Sequence, residues 1–206
     1  MFEVPIRTFY YSAQKAELEA TLAKLLKGNT STAAYVFRPC IVSGPDALLL
    51  FENLLPLTPG ASLPGPLASV FDAVPFLAPV TADPGVPLQL VHQDDVASAL
   101  EAAVMGKGEP GVYNLTAEGE LSLAQVAAEV GWYSVPLPAV AVRIAAEVVA
   151  RIPFAPAEAR WIEAFRTPVT MSTEKARKQL GWRPRYNALE TLREVIVAAR
   201  AQGLLR

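Results

Sequence analysis

A single cysteine and a single histidine limit the chemistry of this 206-residue chain before any motif is read. Cys40 alone can close no intramolecular disulfide and build no cysteine cage for a metal, which fits a reducing, cytoplasmic setting. Charge is also scarce, with 18% Asp, Glu, Lys and Arg and a formal net charge of −2. No Lys/Arg-rich run offers a phosphate-tracking face, so nucleic acid is not an expected partner. The opening residues MFEVPIR lack a basic segment leading into an apolar one, so nothing supports export. The longest uncharged run, residues 53–71, contains Pro56, Pro59, Pro64 and Pro66, which forbid a continuous spanning helix. No membrane segment is expected.

What the chain has in excess is apolar surface: 52% of its residues are hydrophobic. That is high for one domain of this size and implies surface covered by something else, whether a partner, a second subunit or a further domain. Near the N-terminus, Tyr11 and Lys15 lie four residues apart at the start of a helical pattern, so both can face one site. Lowering a tyrosine from about 10 to about 7 for proton transfer takes roughly 4 kcal/mol of phenolate stabilisation. A neighbouring ammonium has the right sign for it. With six tyrosines in the chain, the spacing alone carries little weight, and a surface helix accommodates both residues harmlessly.

Leu18, Leu22, Leu25 and Leu26 continue a helix over residues 11–27, stopped at Gly28 and Asn29. Residues 34–42 read as one short buried strand of the parallel type, closed by Ser43, Gly44 and Pro45; Pro39 cannot donate to a ladder, so the strand ends there or lies beside an edge or a ligand. Residues 46–55 form a brief helical piece. Residues 56–87 are charge-poor and rich in Pro and Gly, and their apolar content favours an ordered lid or pocket wall over a linker. A strand over 87–92 is followed by a helix over 96–105, with Asp94 or Asp95 expected to cap it. His92 beside two carboxylates invites a metal or triad reading, but a strand-ending His next to a cap is more often structural.

Gly106, Gly108 and Gly111 match the letters of a dinucleotide fingerprint, G-x-G-x-x-G, in the wrong context. They follow a helix and lead into a strand over 112–116, so a turn is expected there. Ser122 and Gln125 form a capping box for a helix ending at Gly131, residues 133–138 are extended, and helices are expected over 139–152 and 156–165. Ser172 or Thr173 caps a short basic helix ending at Gly181 and Trp182, and Asn187 to Glu190 opens the last helix, to about Gln202.

Five stretches in this order resemble the extended short-chain dehydrogenase/reductase family, the NAD-dependent epimerase/dehydratase group. They are Tyr11-Ser12-Ala13-Gln14-Lys15; Arg38-Pro39-Cys40-Ile41-Val42-Ser43-Gly44-Pro45; Val91-His92-Gln93-Asp94-Asp95-Val96-Ala97; Val112-Tyr113-Asn114-Leu115; and residues 172–184, with Lys175-Ala176-Arg177 and Leu180-Gly181-Trp182. The resemblance implies an α/β fold, the C-terminal part of a Rossmann-type enzyme with a few short strands and several helices. It implies Tyr11 as catalytic acid/base. Lys15 would lower the Tyr11 pKa and hold the nicotinamide ribose of NAD or NADP, and Pro39, Cys40, Ile41 and Val42 would border the nicotinamide.

Only ten residues precede Tyr11, too few for the glycine-rich phosphate loop and the first βαβ units that the family places upstream. Residues 1–45 are therefore expected to be the last helix and strand of a truncated Rossmann domain. Residues 46–206 are expected to form the substrate-binding region, with the family's strand-helix element at 87–106 interleaved. Cofactor binding by the chain alone is doubtful on this reading. The expected partners are a small-molecule substrate of weak polarity, the missing Rossmann half, or a second copy of the chain in a homodimer. The competing expectation is a non-enzymatic ligand-binding or partner subunit that keeps the family scaffold.

Overall fold

The computed structural model describes residues 10–29, 31–54, 79–138, 140, 141, 144, 147 and 170–205. In chain order these form α1 (Tyr10–Leu26), β1 (Tyr35–Pro39), β2 (Ile41–Ser43), α2 (Leu49–Leu54), β3 (Val80–Asp83), β4 (Leu90–His92), α3 (Gln93–Val104), β5 (Gly111–Leu115), α4 (Leu123–Val130) and β6 (Tyr133–Pro136). A π-helical turn over Ala176–Leu180 and helix α5 (Ala188–Ala201) complete them. All three strand pairs are parallel: β1 with β5, β2 with β4, and β3 with β6. The expected α/β class with short strands is what the chain adopts.

The single strand expected over residues 34–42 is two. β1 runs beside β5 as far as Pro39, paired with Leu115. The Cys40 amide still donates to Leu115 O, at 3.0 Å, but the next amide, of Ile41, turns to Gln89 O at 3.3 Å. From there β2 follows β4, with Ile41 opposite Leu90 and Val42 opposite Val91. Beyond β5 the Ala117 amide donates to Leu90 O at 2.8 Å, so β4 enters where β1 and β5 part.

The side chains of β4 alternate between two cores. Leu90 packs with Phe51, Val126, Leu192, Val195 and Ile196. Val91 packs with Tyr113, Leu115, Leu180 and Trp182 on the other face. A strand buried on both faces reads as an unbroken apolar run, and each fully buried Leu or Val contributes about 1.5–3 kcal/mol. β3 went unanticipated: it is four residues between Pro79 and Pro84, and its pairing with β6 outweighs the local proline signal.

Helix ends largely follow their sequence signals. Ser122 with Gln125 and Asn187 with Glu190 form reciprocal capping boxes, and Gly131 closes α4 in the left-handed conformation. The cap of α3 is a correction: His92, not Asp94 or Asp95, holds that position, its Nδ1 accepting the Asp94 amide at 3.2 Å. Asp95 is instead completely buried in the first turn. Its carboxylate accepts the amides of Arg185 at 2.9 Å and Tyr186 at 3.2 Å, while its carbonyl accepts the Trp182 indole N–H at 2.9 Å. One residue thereby fastens the β4 to α3 corner to the loop that leads into α5.

Gly106, Gly108 and Gly111 form the α3 to β5 turn, as their context requires. At Gly108, φ is +69° and a Cβ would stand 2.8 Å from the Gln179 carbonyl, so both conformation and space demand glycine there. Of the expected helix over 139–152, only residues 140, 141, 144 and 147 are described, all helical. The helix over 156–165 and most of the apolar segment 56–87 lie outside the described residues. Among the described residues, no helix is long and apolar enough to cross a membrane.

Replacing Asp95 with Ala leaves two part-buried amides without their acceptor and should cost about 1–3 kcal/mol, read as a lower midpoint in urea denaturation. A change below about 0.5 kcal/mol would mean that Asp95 does not hold the loop. Gly108→Ala should destabilise the chain by more than about 1 kcal/mol on the same assay.

Candidate functional site

Tyr11 and Lys15 both belong to α1, one turn apart, so the backbone stacks them on one helix face as their spacing implies. Lys15 is exposed; the side chain of Tyr11 lies outside the described residues. The helix is held to the sheet through Glu19, whose carboxylate accepts two hydrogen bonds from the Arg38 guanidinium of β1, Nε at 2.8 Å and a terminal nitrogen at 2.5 Å. This pair was not anticipated. Glu19 lies four residues beyond Lys15 on the same ridge, but that spacing gives no sign of Arg38, which only the fold brings beside it.

Pro39 ends β1 opposite Leu115, Cys40 is the hand-over residue, and Ile41 and Val42 lie in β2 opposite Leu90 and Val91. Pro39 is the carboxyl end of β1, and ligands of open α/β sheets characteristically bind outside such ends. The amides of Cys40 and Ile41 are committed to Leu115 O and Gln89 O, so the stretch offers a wall rather than those two donors. Cys40 packs against the core that contains Val91 and Leu115. Burial pushes its thiol up to about 11, only partly offset by the hydrogen bond to Thr116.

Tyr113 is the contrasting tyrosine. Burial first, then Tyr35 and Glu109, raise its phenol above the ordinary range. It donates to the Glu109 carbonyl and to Gln179 Oε1, and the Lys175 ammonium lies 4.3 Å from its ring centroid. Such a phenol resists ionisation and serves packing.

His92 does not gather a metal set: among the described residues no cluster of three His, Cys, Asp or Glu could hold one. Its Nδ1 accepts the Asp94 amide, and its Nε2 lies 3.2 Å from Glu194 Oε2 without a hydrogen bond between them. Its ring also stacks on Tyr186 with centroids 4.0 Å apart, and the residue is almost wholly buried. This is a structural histidine joining β4 to α5. An open depression of about 340 Å³ lies between Gln89, Thr116, Glu120, Met171, Thr173 and Arg177. It includes none of Tyr11, Lys15, Pro39, Cys40, Ile41 or Val42.

A thiol held near 11 is about one part in ten thousand thiolate at pH 7. Cys40 should therefore react with a disulfide reagent more than about a hundredfold slower in the native chain than in the urea-unfolded one. The sign of the linkage also follows. The folded state holds the proton more tightly than the unfolded one, so stability falls as pH rises from about 9 to about 11. Denaturant midpoints of wild type and Cys40→Ala across that window check it; parallel curves would contradict it.

No protein-family model matches the chain. Among curated proteins it is similar to the uncharacterized protein Rv0501 of Mycobacterium tuberculosis, 29% identical over 103 residues, which are 50% of this chain and 27% of that protein. Among solved structures it superposes on gox2253 with a TM-score of 0.63 and 22% identity, covering 95% of this chain and 57% of that one. It also superposes on dTDP-glucose 4,6-dehydratase of Bacillus anthracis in complex with NAD (TM-score 0.58, 17% identity, 95% and 55% of the two chains). A third is UDP-glucose 4-epimerase of Thermotoga maritima with UDP-glucose (TM-score 0.56, 18% identity, 93% and 53%). The chain thus spans little more than half the length of the solved structures it matches. Over that span it has the α/β fold of the extended short-chain dehydrogenases/reductases.

Proposed function

We propose that this chain supplies the acid/base helix and the substrate-facing scaffold of an NAD(P)-dependent oxidoreductase or epimerase/dehydratase, and works with a dinucleotide-binding half. The observation that carries the reading is the placement of Tyr11 and Lys15 one turn apart on α1, which an ion pair ties to the strand ending at Pro39. Tyr11 exchanges a proton with a substrate hydroxyl or carbonyl. Lys15 stabilises its phenolate and holds the nicotinamide ribose. Pro39, Cys40, Ile41 and Val42 form the wall beside the nicotinamide. When bound, the cofactor supplies the hydride chemistry.

The residues fit that cofactor in part. β1 ends at Pro39, where the chain changes neighbours from β5 to β4, and ligands of open α/β sheets bind outside such carboxyl ends. The phosphate cradle is another matter: the glycine triplet at 106, 108 and 111 is occupied as a helix-to-strand turn, closed by Tyr35 donating to the Gly108 carbonyl at 3.0 Å. The dinucleotide phosphates therefore need a site beyond these described residues. Residues 1–45 fall to the cofactor side of the division and 46–206 to the substrate side, for a small molecule of weak polarity. A cytoplasmic location belongs to the same reading and rests on the lone Cys40.

One observation favours partner binding beside, or in place of, catalysis. Leu18 and Leu25 of α1 are 61% and 74% exposed, and Leu22 lies on the same face. That face suits a second copy of the chain or a dinucleotide-binding half, and sedimentation at rising concentration should show association. A non-enzymatic subunit would keep this surface and lose nothing when Tyr11 is replaced.

Calorimetric titration of NADH into the purified chain should show no saturable binding. Tight one-to-one binding would overturn the division of the site. In a complex reconstituted with a Rossmann half, Tyr11→Phe should reduce turnover by about 10²–10⁴ with little change in folding. Unchanged turnover would remove Tyr11 from the chemistry and leave the non-enzymatic reading.

A further inference from the structure

Resting on that reading, we infer that Arg38 and Glu19 are the positioning pair of the site: they set the rotation and height of α1, and so aim the face bearing Tyr11 and Lys15 at the strand end. Residues 11, 15 and 19 climb one ridge of the helix, each step of four residues turning it by about 40°. Ser12, Ala16, Glu19 and Leu26 are half-buried, whereas Leu18, Leu22 and Leu25 are exposed. Lys15 is exposed and Glu19 half-buried, so the ridge passes from the open side of α1 to its docked side, and Glu19 is the member of the ridge that reaches the sheet. Without a fixed rotation, the upper members of the ridge have no defined direction.

Arg38 is placed to supply that constraint. It stands in β1 opposite Asn114 of β5, immediately before Pro39, and so shares a rigid strand with the proposed nicotinamide wall. Its two nitrogens meet the two oxygens of Glu19 at 2.8 and 2.5 Å. The side chains of Arg38 and Glu19 are 34% and 29% exposed. A two-point fork defines an orientation; the single ammonium of a lysine defines only a distance. The fork also joins the two parts of the site across 19 residues of chain, the helix with the acid/base pair and the strand end with the wall.

The test uses the full chain. In Glu19→Gln, which leaves Arg38 and its other contacts in place, and in Arg38→Lys, which keeps charge but removes the fork, amide hydrogen exchange across α1 should quicken at least about tenfold. Exchange in α3 and α5 should stay at wild-type rates. The exchanged pair Glu19→Arg with Arg38→Glu should restore much of the protection. Unchanged exchange in α1 of both single variants overturns the clamp. If Arg38→Lys loosens the whole chain, seen in α3 and α5, Glu19→Gln decides.

Titration of the Tyr11 phenol by ring NMR separates positioning from plain charge. Loosening α1 parts Tyr11 from Lys15 and moves the phenol up, toward about 10, in Glu19→Gln. Removing a negative charge without moving the helix pushes it down, and a downward or absent shift overturns the positioning role. A wild-type Tyr11 that titrates like an exposed tyrosine overturns instead the functional reading, and the exchange rates then judge the clamp by itself.

Discussion

The hand-over of hydrogen bonds at Cys40 is the constraint from which the described fold follows. One amide faces Leu115 and the next faces Gln89, so a single extended stretch serves two parallel neighbours in succession. β4 can then lie between β2 and the chain leaving β5, with both faces of Leu90 and Val91 covered. Parallel strands tolerate little exposure, which is why the two cores meet at this strand and why the helices α2, α4 and α5 on one side and the π-helical turn on the other are needed. The same hand-over fixes the backbone of Pro39, Cys40, Ile41 and Val42. Fold and candidate site share one cause.

A second tier of contacts fastens the distant end of the chain to this centre. Asp95 and His92, side by side at the start of α3, each reach the C-terminal part: the first through amides of Arg185 and Tyr186, the second through Glu194 and the Tyr186 ring. Asp95 is a buried polar group whose partners come from about ninety residues away along the chain, whereas His92 Nε2 approaches Glu194 without a hydrogen bond. A stretch with the look of a reactive cluster is thereby a junction. The thiol of Cys40 and the phenol of Tyr113, both raised by burial, are likewise poorly suited to ionise, while α1 carries the candidate chemistry.

Local signals in the chain made the helix ends legible, because capping residues act within four positions: Ser122 with Gln125, Asn187 with Glu190, and Gly131 all stand where their chemistry implies. The turn at Gly106 to Gly111 was legible for the same reason. What could not be read locally depended on a distant partner. The break at Cys40 needs Gln89, β3 needs β6, and the cap of α3 passes to His92 because Asp95 is claimed by the loop before α5. At the candidate site the spacing of Tyr11 and Lys15 was plain, and the likeness to epimerases and dehydratases gave it a context. The Arg38 to Glu19 pair was hidden, since only the fold brings the strand beside the helix.

The account has one central claim, that Tyr11 and Lys15 act as a coupled pair and not as two surface residues of a helix. The direct measurement is the phenol titration of Tyr11 in the full chain, compared with Lys15→Met. The account predicts a Tyr11 phenol that ionises below the ordinary value of about 10 and returns toward it when the ammonium is removed. A phenol at the ordinary value in the wild type, unmoved in Lys15→Met, would contradict it.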